Sequence, residues 1–208
     1  MRTDDLYFLP DNLPLPKDDG ACDHLRRSMI PSIALKATSG LMVDLSKEGQ
    51  PWLVVYCYPL TGRPDREPPG GIAGWNAIPG ARGCTPQSCS YRDHYAELTA
   101  LGATVYGLST QHTEYQAEAV QRLHLPFPLL SDAQLDFTRA LRLPTFTFAG
   151  VELIKRLTMI VRAGRIEEVF YPVFPSDADP DRVIGWLTSP FRANAMTRAA
   201  EFGAQGRA

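Results

Sequence analysis

The chain has 208 residues, a formal net charge of −2 and 44% hydrophobic residues. That is enough for one domain with its own core, and the charge carries no basic footprint for nucleic acid. No apolar run approaches the roughly 20 residues that span a bilayer, and the N-terminus lacks the charged-then-apolar plan of a signal peptide, so a cytoplasmic location is expected. Four cysteines, Cys22, Cys57, Cys84 and Cys89, are too few for a disulfide scaffold of this length. In a reducing compartment a close pair reads as catalytic or metal-binding.

Residues 1–27 read as an irregular arm, with prolines at 10, 14 and 16 and a turn at Asp18-Asp19-Gly20. Cys22 and His24 lie in it, and no second pair at metal-ligand spacing follows. Residues 33–35 and 42–45 flank Thr38-Ser39-Gly40 as a short hairpin. The continuous apolar run 52–58 reads as a buried central strand ending at Pro59, with Cys57 as a packing residue. Residues 61–83 are crowded with glycine and proline and read as a long loop, partly packed through Ile72 and Trp75. The spacing of Tyr91, Tyr95, Leu98 and Leu101 predicts a helix over 88–101, closed by Gly102.

A strand is expected over 104–109, a helix over 114–123 capped by Thr113, a short edge strand over 127–130 and a helix over 133–141. Residues 157–162 and 165–171 form a hairpin around Ala163-Gly164, and 179–187 a last helix. Residues 28–188 make one domain, and 189–208 a tail expected to be partly disordered. The order of elements gives an α/β fold: a mixed sheet with helices on both faces and an antiparallel pair at its end. Sites in such sheets form beyond the carboxyl ends of the strands, which is where the loop leading to Cys84 begins.

Chemistry concentrates at Cys84-Thr85-Pro86-Gln87-Ser88-Cys89. Thr85 reads as a helix cap and Pro86 as a first helical residue, which puts Cys84 at a helix mouth. Unpaired N–H groups and the helix dipole favour a thiolate there. A cation beside it would help, and Arg156 is the candidate, with Lys155 the alternative because strand register decides which points inward. Sulfenic acid formed on one thiol condenses with a second thiol to a disulfide. In a continuous helix, five steps place Cys84 and Cys89 about 7.5 Å apart along the axis and about 140° apart around it. A disulfide needs Cα atoms within about 6.8 Å, so the first turn must open for it to form. Spacing alone leaves three readings: chance, a metal hook or a redox pair. The rival functions are a metal-binding carrier using Cys84, Cys89 and a histidine such as His94 or His112, and a thiol-disulfide oxidoreductase, which the spacing disfavours because it is not Cys-x-x-Cys.

The stretch Gly83-Cys84-Thr85-Pro86-Gln87-Ser88-Cys89, followed by Tyr91-Arg92-Asp93, resembles the active-site segment of the peroxiredoxins, in particular the bacterioferritin-comigratory or PrxQ type. Val54 to Pro59, Gly107-Leu108-Ser109-Thr110, Pro128 to Asp132 and Arg156 to Val161 are similar to further family segments in the same order. The resemblance implies a thioredoxin-like fold and thiol-dependent reduction of hydrogen peroxide and organic hydroperoxides. Cys84 takes the peroxidatic place, Cys89 the resolving place and Arg156 that of the active-site arginine. It implies no cofactor and no metal, and electrons from thioredoxin or a similar dithiol protein. With the resolving thiol on the same chain, a monomer is expected. The family places a proline and then a threonine or serine close before the peroxidatic cysteine. Pro59 and Thr61 fit by type, but residues 62–83 intervene and position 81 is Ala. Thr61 is expected to reach the site with the insertion looped out; otherwise the role is lost or passes to Thr85.

Overall fold

The strand that carries the core is β3, Trp52–Cys57, every residue of which is buried. Its side chains alternate between two cores. Leu53, Val55 and Cys57 belong to one, and Trp52, Val54, Tyr56 and Tyr58 to the other. Only a strand covered on both faces can be apolar throughout. The computed structural model describes residues 4–48 and 51–189.

The other strands of the β3 sheet are β1, Ala34–Ala37; β2, Met42–Asp44; β4, Ala103–Ser109; β5, Leu129–Ser131; β8, Leu157–Arg162; and β9, Arg165–Phe170. They form a seven-stranded sheet in the order β2-β1-β5-β4-β3-β8-β9. β3, β4 and β5 run parallel, and β1, β8 and β9 join antiparallel. The sheet is therefore mixed, as expected.

One face carries α2, Cys84–Asp93; α3, Tyr95–Ala100; α4, Thr113–Leu123; and α6, Asp179–Leu187, whose Tyr91, Leu98, Leu123 and Val183 pack on Tyr56 and its neighbours. The other carries α5, Asp136–Leu141, through Phe137 and Leu141, together with Cys22 and Leu25 of the N-terminal arm. The irregular arm thus supplies core side chains on its way to β1.

The expected helix over 88–101 is two helices, and it begins earlier, at Cys84. Gly83 is its N-cap, with φ +110, and no side chain caps it. A Cβ at Gly83 would stand 2.2 Å from Ser176 Oγ, so only glycine fits there. The break falls at His94, whose Nδ1 lies 2.9 Å from Ser90 O. The helix expected over 133–141 starts at Asp136, because Leu135 is left-handed, with φ +61; the Asp132 carboxylate accepts from the N–H groups of Phe137 and Thr138.

The 61–83 loop contains a short helix, α1, Gly71–Asn76. An unexpected hairpin, β6, Thr145–Phe148, and β7, Val151–Ile154, stands apart from the main sheet. These two features belong together. Trp75 of α1 packs on Phe146 and Phe148 of the hairpin, at 6.3 and 5.2 Å between ring centroids. The tail 190–208 lies outside the described residues.

Candidate active site

The carboxyl end of β3 leads through the insertion to Cys84, the first residue of α2. Cys84 is 3% exposed, and its Sγ lies 3.6 Å from Ala81 O. Arg156, between β7 and β8, donates from Nη2 to that sulfur at 3.1 Å. The rest of the guanidinium is held by oxygens of the segment before the helix. Nε donates to Gly80 O at 3.3 Å, and Nη2 also to Ala81 O at 3.1 Å and Arg82 O at 3.3 Å. Nη1 donates to Gln87 Oε1. These are carbonyl and amide oxygens, so they fix the fork without neutralising its charge. Lys155, the alternative, points away: its Nζ donates to Asp19 Oδ2 at 2.8 Å and reaches the Tyr171 hydroxyl at 3.3 Å.

Gln87 ties Arg156 to a buried carboxyl group that no motif announced. Gln87 Nε2, Tyr91 Oη and Thr158 Oγ1 all donate to Asp179 Oδ2, at 2.9, 2.9 and 2.6 Å. Burial raises the Asp179 pKa, opposed by these hydrogen bonds and by the Arg156 charge. Ser176 Oγ donates to Gly83 O at 2.9 Å and Ser90 Oγ to Asp177 O at 2.6 Å. The turn leading into α6, together with Asp179 at its start, thereby clamps α2.

A family model described as Redoxin matches residues 27–184. A chloroplastic peroxiredoxin Q from Sedum lineare is 33% identical over 183 residues, which cover 88% of this chain and 88% of that one. The chain belongs to the redoxin family, as a Q-type peroxiredoxin. Two solved structures share its fold. The peroxidoxin BcpB of Mycobacterium tuberculosis superposes with a TM-score of 0.62 at 23% identity, covering 78% of this chain and 95% of that one. The bacterioferritin comigratory protein of Xanthomonas campestris, whose structure is described for its alkyl peroxide reduction activity, does so with 0.59 at 20% identity, covering 85% and 97%.

In this peroxiredoxin Cys89 lies on the same unbroken helix as Cys84, half-buried against the Tyr56 core, and all four cysteines are free thiols. Burial pushes the Cys89 thiol up, partly offset by Arg92. Cys22 is pushed up to about 12 by burial and by Asp19, and Cys57 is also raised by burial; both thiols stay protonated and inert.

Thr61 is fully buried, and its N–H and hydroxyl both donate to Gln111 Oε1 at 3.0 Å. Beside Cys84 is a cavity of about 20 Å3, lined by Thr85, Gly83, Arg82, Leu60, Gly62, Pro68 and Trp75, and by Leu6 from the arm. Arg82 holds the arm over it by donating to the Asp4 carboxylate and to the Asp5 and Phe8 carbonyls. A larger cavity, about 400 Å3, opens on the far side of Arg156 between Ile78, Phe146, Lys155 and Tyr171, and Cys84 does not line it. Among the described residues no group of three or more His, Cys, Asp or Glu side chains is placed to hold a metal, and no helix is long and apolar enough to cross a membrane.

Proposed function

We propose that this chain carries out its family's thiol-dependent peroxide reduction on Cys84, with hydrogen peroxide and alkyl hydroperoxides as substrates. The observation that carries this reading is the Arg156 Nη2 contact with Cys84 Sγ, 3.1 Å long and buried. A guanidinium there favours an anionic sulfur, the nucleophilic form. The thiolate attacks one peroxide oxygen; the S–O bond forms, the O–O bond breaks, and the departing oxygen takes up a proton. Sulfur is oxidised to sulfenic acid and the peroxide is reduced to alcohol or water.

Cys89 then acts as the resolving thiol. It condenses with the sulfenic acid and expels water, leaving a Cys84–Cys89 disulfide. An outside dithiol, thioredoxin or a protein like it, reduces that bond by exchange. A resolving thiol on the same chain needs no partner subunit, so the working unit is a monomer, which sedimentation velocity would test. Free thiols that must be reduced after each turnover suit a reducing, cytoplasmic setting.

Stopped-flow peroxide reduction by the wild type, Cys84→Ser and Cys89→Ser tests the roles. Cys84→Ser is expected to abolish reduction. Cys89→Ser is expected to react once and accumulate sulfenic acid on Cys84, visible by mass spectrometry. An unreactive Cys89→Ser protein, or an active Cys84→Ser one, overturns the assignment.

A further inference from the structure

The first turn of α2 leaves a polar atom without a partner next to the reactive sulfur. Thr85 is 2% exposed, and its Oγ1 makes no hydrogen bond among the described residues. A buried hydroxyl in that condition is destabilising, and its presence asks for an explanation. The helix does not use it, because Gly83 is the cap and no side chain takes part. Thr85 and Cys84 line one cavity of about 20 Å3, closed by the apolar side chains of Leu6, Leu60 and Trp75. That is room for an oxygen-sized guest. Arg82 also lines the cavity; its Nη1 and Nη2 are engaged with the arm, while its buried Nε, a donor only, makes no hydrogen bond among the described residues. The other threonine within the motif, Thr61, already donates to Gln111.

We propose that the Thr85 hydroxyl is the group that holds the peroxide against Cys84, taking the role that the family spacing would give to Thr61. This rests on the peroxidase reading above. A hydroxyl accepts and donates at once, which is what the two oxygens of a hydroperoxide need. Thr85 Oγ1 accepts the O–H of the oxygen under attack and donates its own hydrogen to the departing oxygen. As the Cys84 sulfur bonds to the first oxygen, the O–O bond breaks and its electron pair leaves on the second. The sulfenic acid keeps the first oxygen and its proton. The alkoxide, or hydroxide from hydrogen peroxide, is stabilised by the Thr85 hydrogen bond and takes a proton from water. Because donation to the departing oxygen strengthens as charge develops there, the contact acts on the transition state.

The test is Thr85→Val, which replaces the hydroxyl by a methyl group of similar size, alongside Thr85→Ser and Thr85→Ala. The second-order rate of sulfenic acid formation is measured with hydrogen peroxide, and the rate of Cys84 alkylation by iodoacetamide is measured across pH. Val and Ala are expected to slow peroxide reduction roughly 10- to 100-fold, and Ser to restore most of it. Alkylation and its pH profile are expected to be unchanged in all three. Thermal stability of the Val protein is expected to equal or exceed that of the wild type, since an unpartnered hydroxyl has been removed. Wild-type peroxide rates in Val and Ala would overturn the proposal. So would an equal slowing of alkylation, which would place the effect on the thiolate or the fold. If Val does not fold, the Ala and Ser pair decides on the same criteria. A wild-type protein that consumes no peroxide would overturn the peroxidase reading itself, an outcome distinct from any of these.

Discussion

Arg156 Nη2 lies 3.1 Å from Cys84 Sγ although 72 positions separate the two residues in the chain. The same guanidinium donates to Gly80, Ala81 and Arg82 carbonyls, so it orders the segment that delivers the cysteine as well as the sulfur itself. Replacing Arg156 by Lys keeps a charge but loses the planar fork that reaches several oxygens at once. Arg156→Lys is expected to lower the rate of peroxide reduction by roughly 100-fold and to slow alkylation of Cys84 as well, unlike the Thr85 variants. Alkylation at the wild-type rate would show that the contact does not activate the thiolate.

The disulfide cannot form on an intact α2. Cys84 and Cys89 are five helical steps apart, about 7.5 Å in rise, beyond the reach of a disulfide. Opening the first turn means releasing Gly83 O from Ser176 and Gln87 from Asp179, while Ser90 and Tyr91, one turn further on, are held by Asp177 O and Asp179. It also exposes Cys89 and relieves the burial that pushes its thiol up. Amides of residues 85–91 are therefore expected to lose hydrogen-exchange protection on oxidation, and Cys89→Ser treated with one equivalent of peroxide is expected to keep it. Ser176→Ala removes one tether, so the disulfide should form faster. Equal protection of the reduced and oxidised wild type would show that the bond forms without unwinding.

Residue patterns showed the centre of this fold more clearly than its edges. The β-rich apolar run Trp52 to Tyr58, ending at Pro59, reads as a buried strand, and the order of strands and helices that follows places Cys84 beyond its end. Arg156 was found only as one of two adjacent cations, because register is a property of the folded sheet; Lys155 turned out to serve Asp19. Thr85 is not the cap that its residue type suggests, since the glycine before Cys84 takes that place through a positive φ. Asp179 gave no local sign, as its partners come from α2 and β8. The β6–β7 hairpin did leave a signal, the alternation Thr145-Phe146-Thr147-Phe148, but Phe146 and Phe148 pack with the insertion rather than on the sheet, and four-residue strands are weak without their partner.

The buried carboxyl of Asp179 makes stability depend on pH in a defined direction. Burial raises its folded pKa above the ordinary 3.8, despite the opposing hydrogen bonds. Above 3.8 the folded state therefore holds more protons than the unfolded one. The contribution of this group is fully present below 3.8 and is lost as pH rises through the raised folded value. Asp179→Asn cannot titrate. The Tm of the wild type minus that of Asp179→Asn is expected to fall as pH is raised from about 4, read by differential scanning calorimetry. A difference that is constant or rises with pH would contradict the raised pKa.

The insertion and the hairpin form a third, small core around Trp75, Ala81 and Leu153, with Phe146 and Phe148 against it. Gly70, at φ +82, lets the chain pass so close that an added Cβ would stand 2.8 Å from the Phe148 ring. Trp75 also walls the cavity beside Cys84, so this core sets the space available to a peroxide. Trp75→Ala is expected to destabilise the protein by about 3 kcal/mol, the low end for a buried aromatic because the cluster is small. It is also expected to enlarge the cavity and raise the rate with cumene hydroperoxide relative to hydrogen peroxide. Chemical denaturation and stopped-flow rates with the two peroxides measure both effects. A stability loss with an unchanged rate ratio would mean that the insertion props up the hairpin but does not shape access to the sulfur.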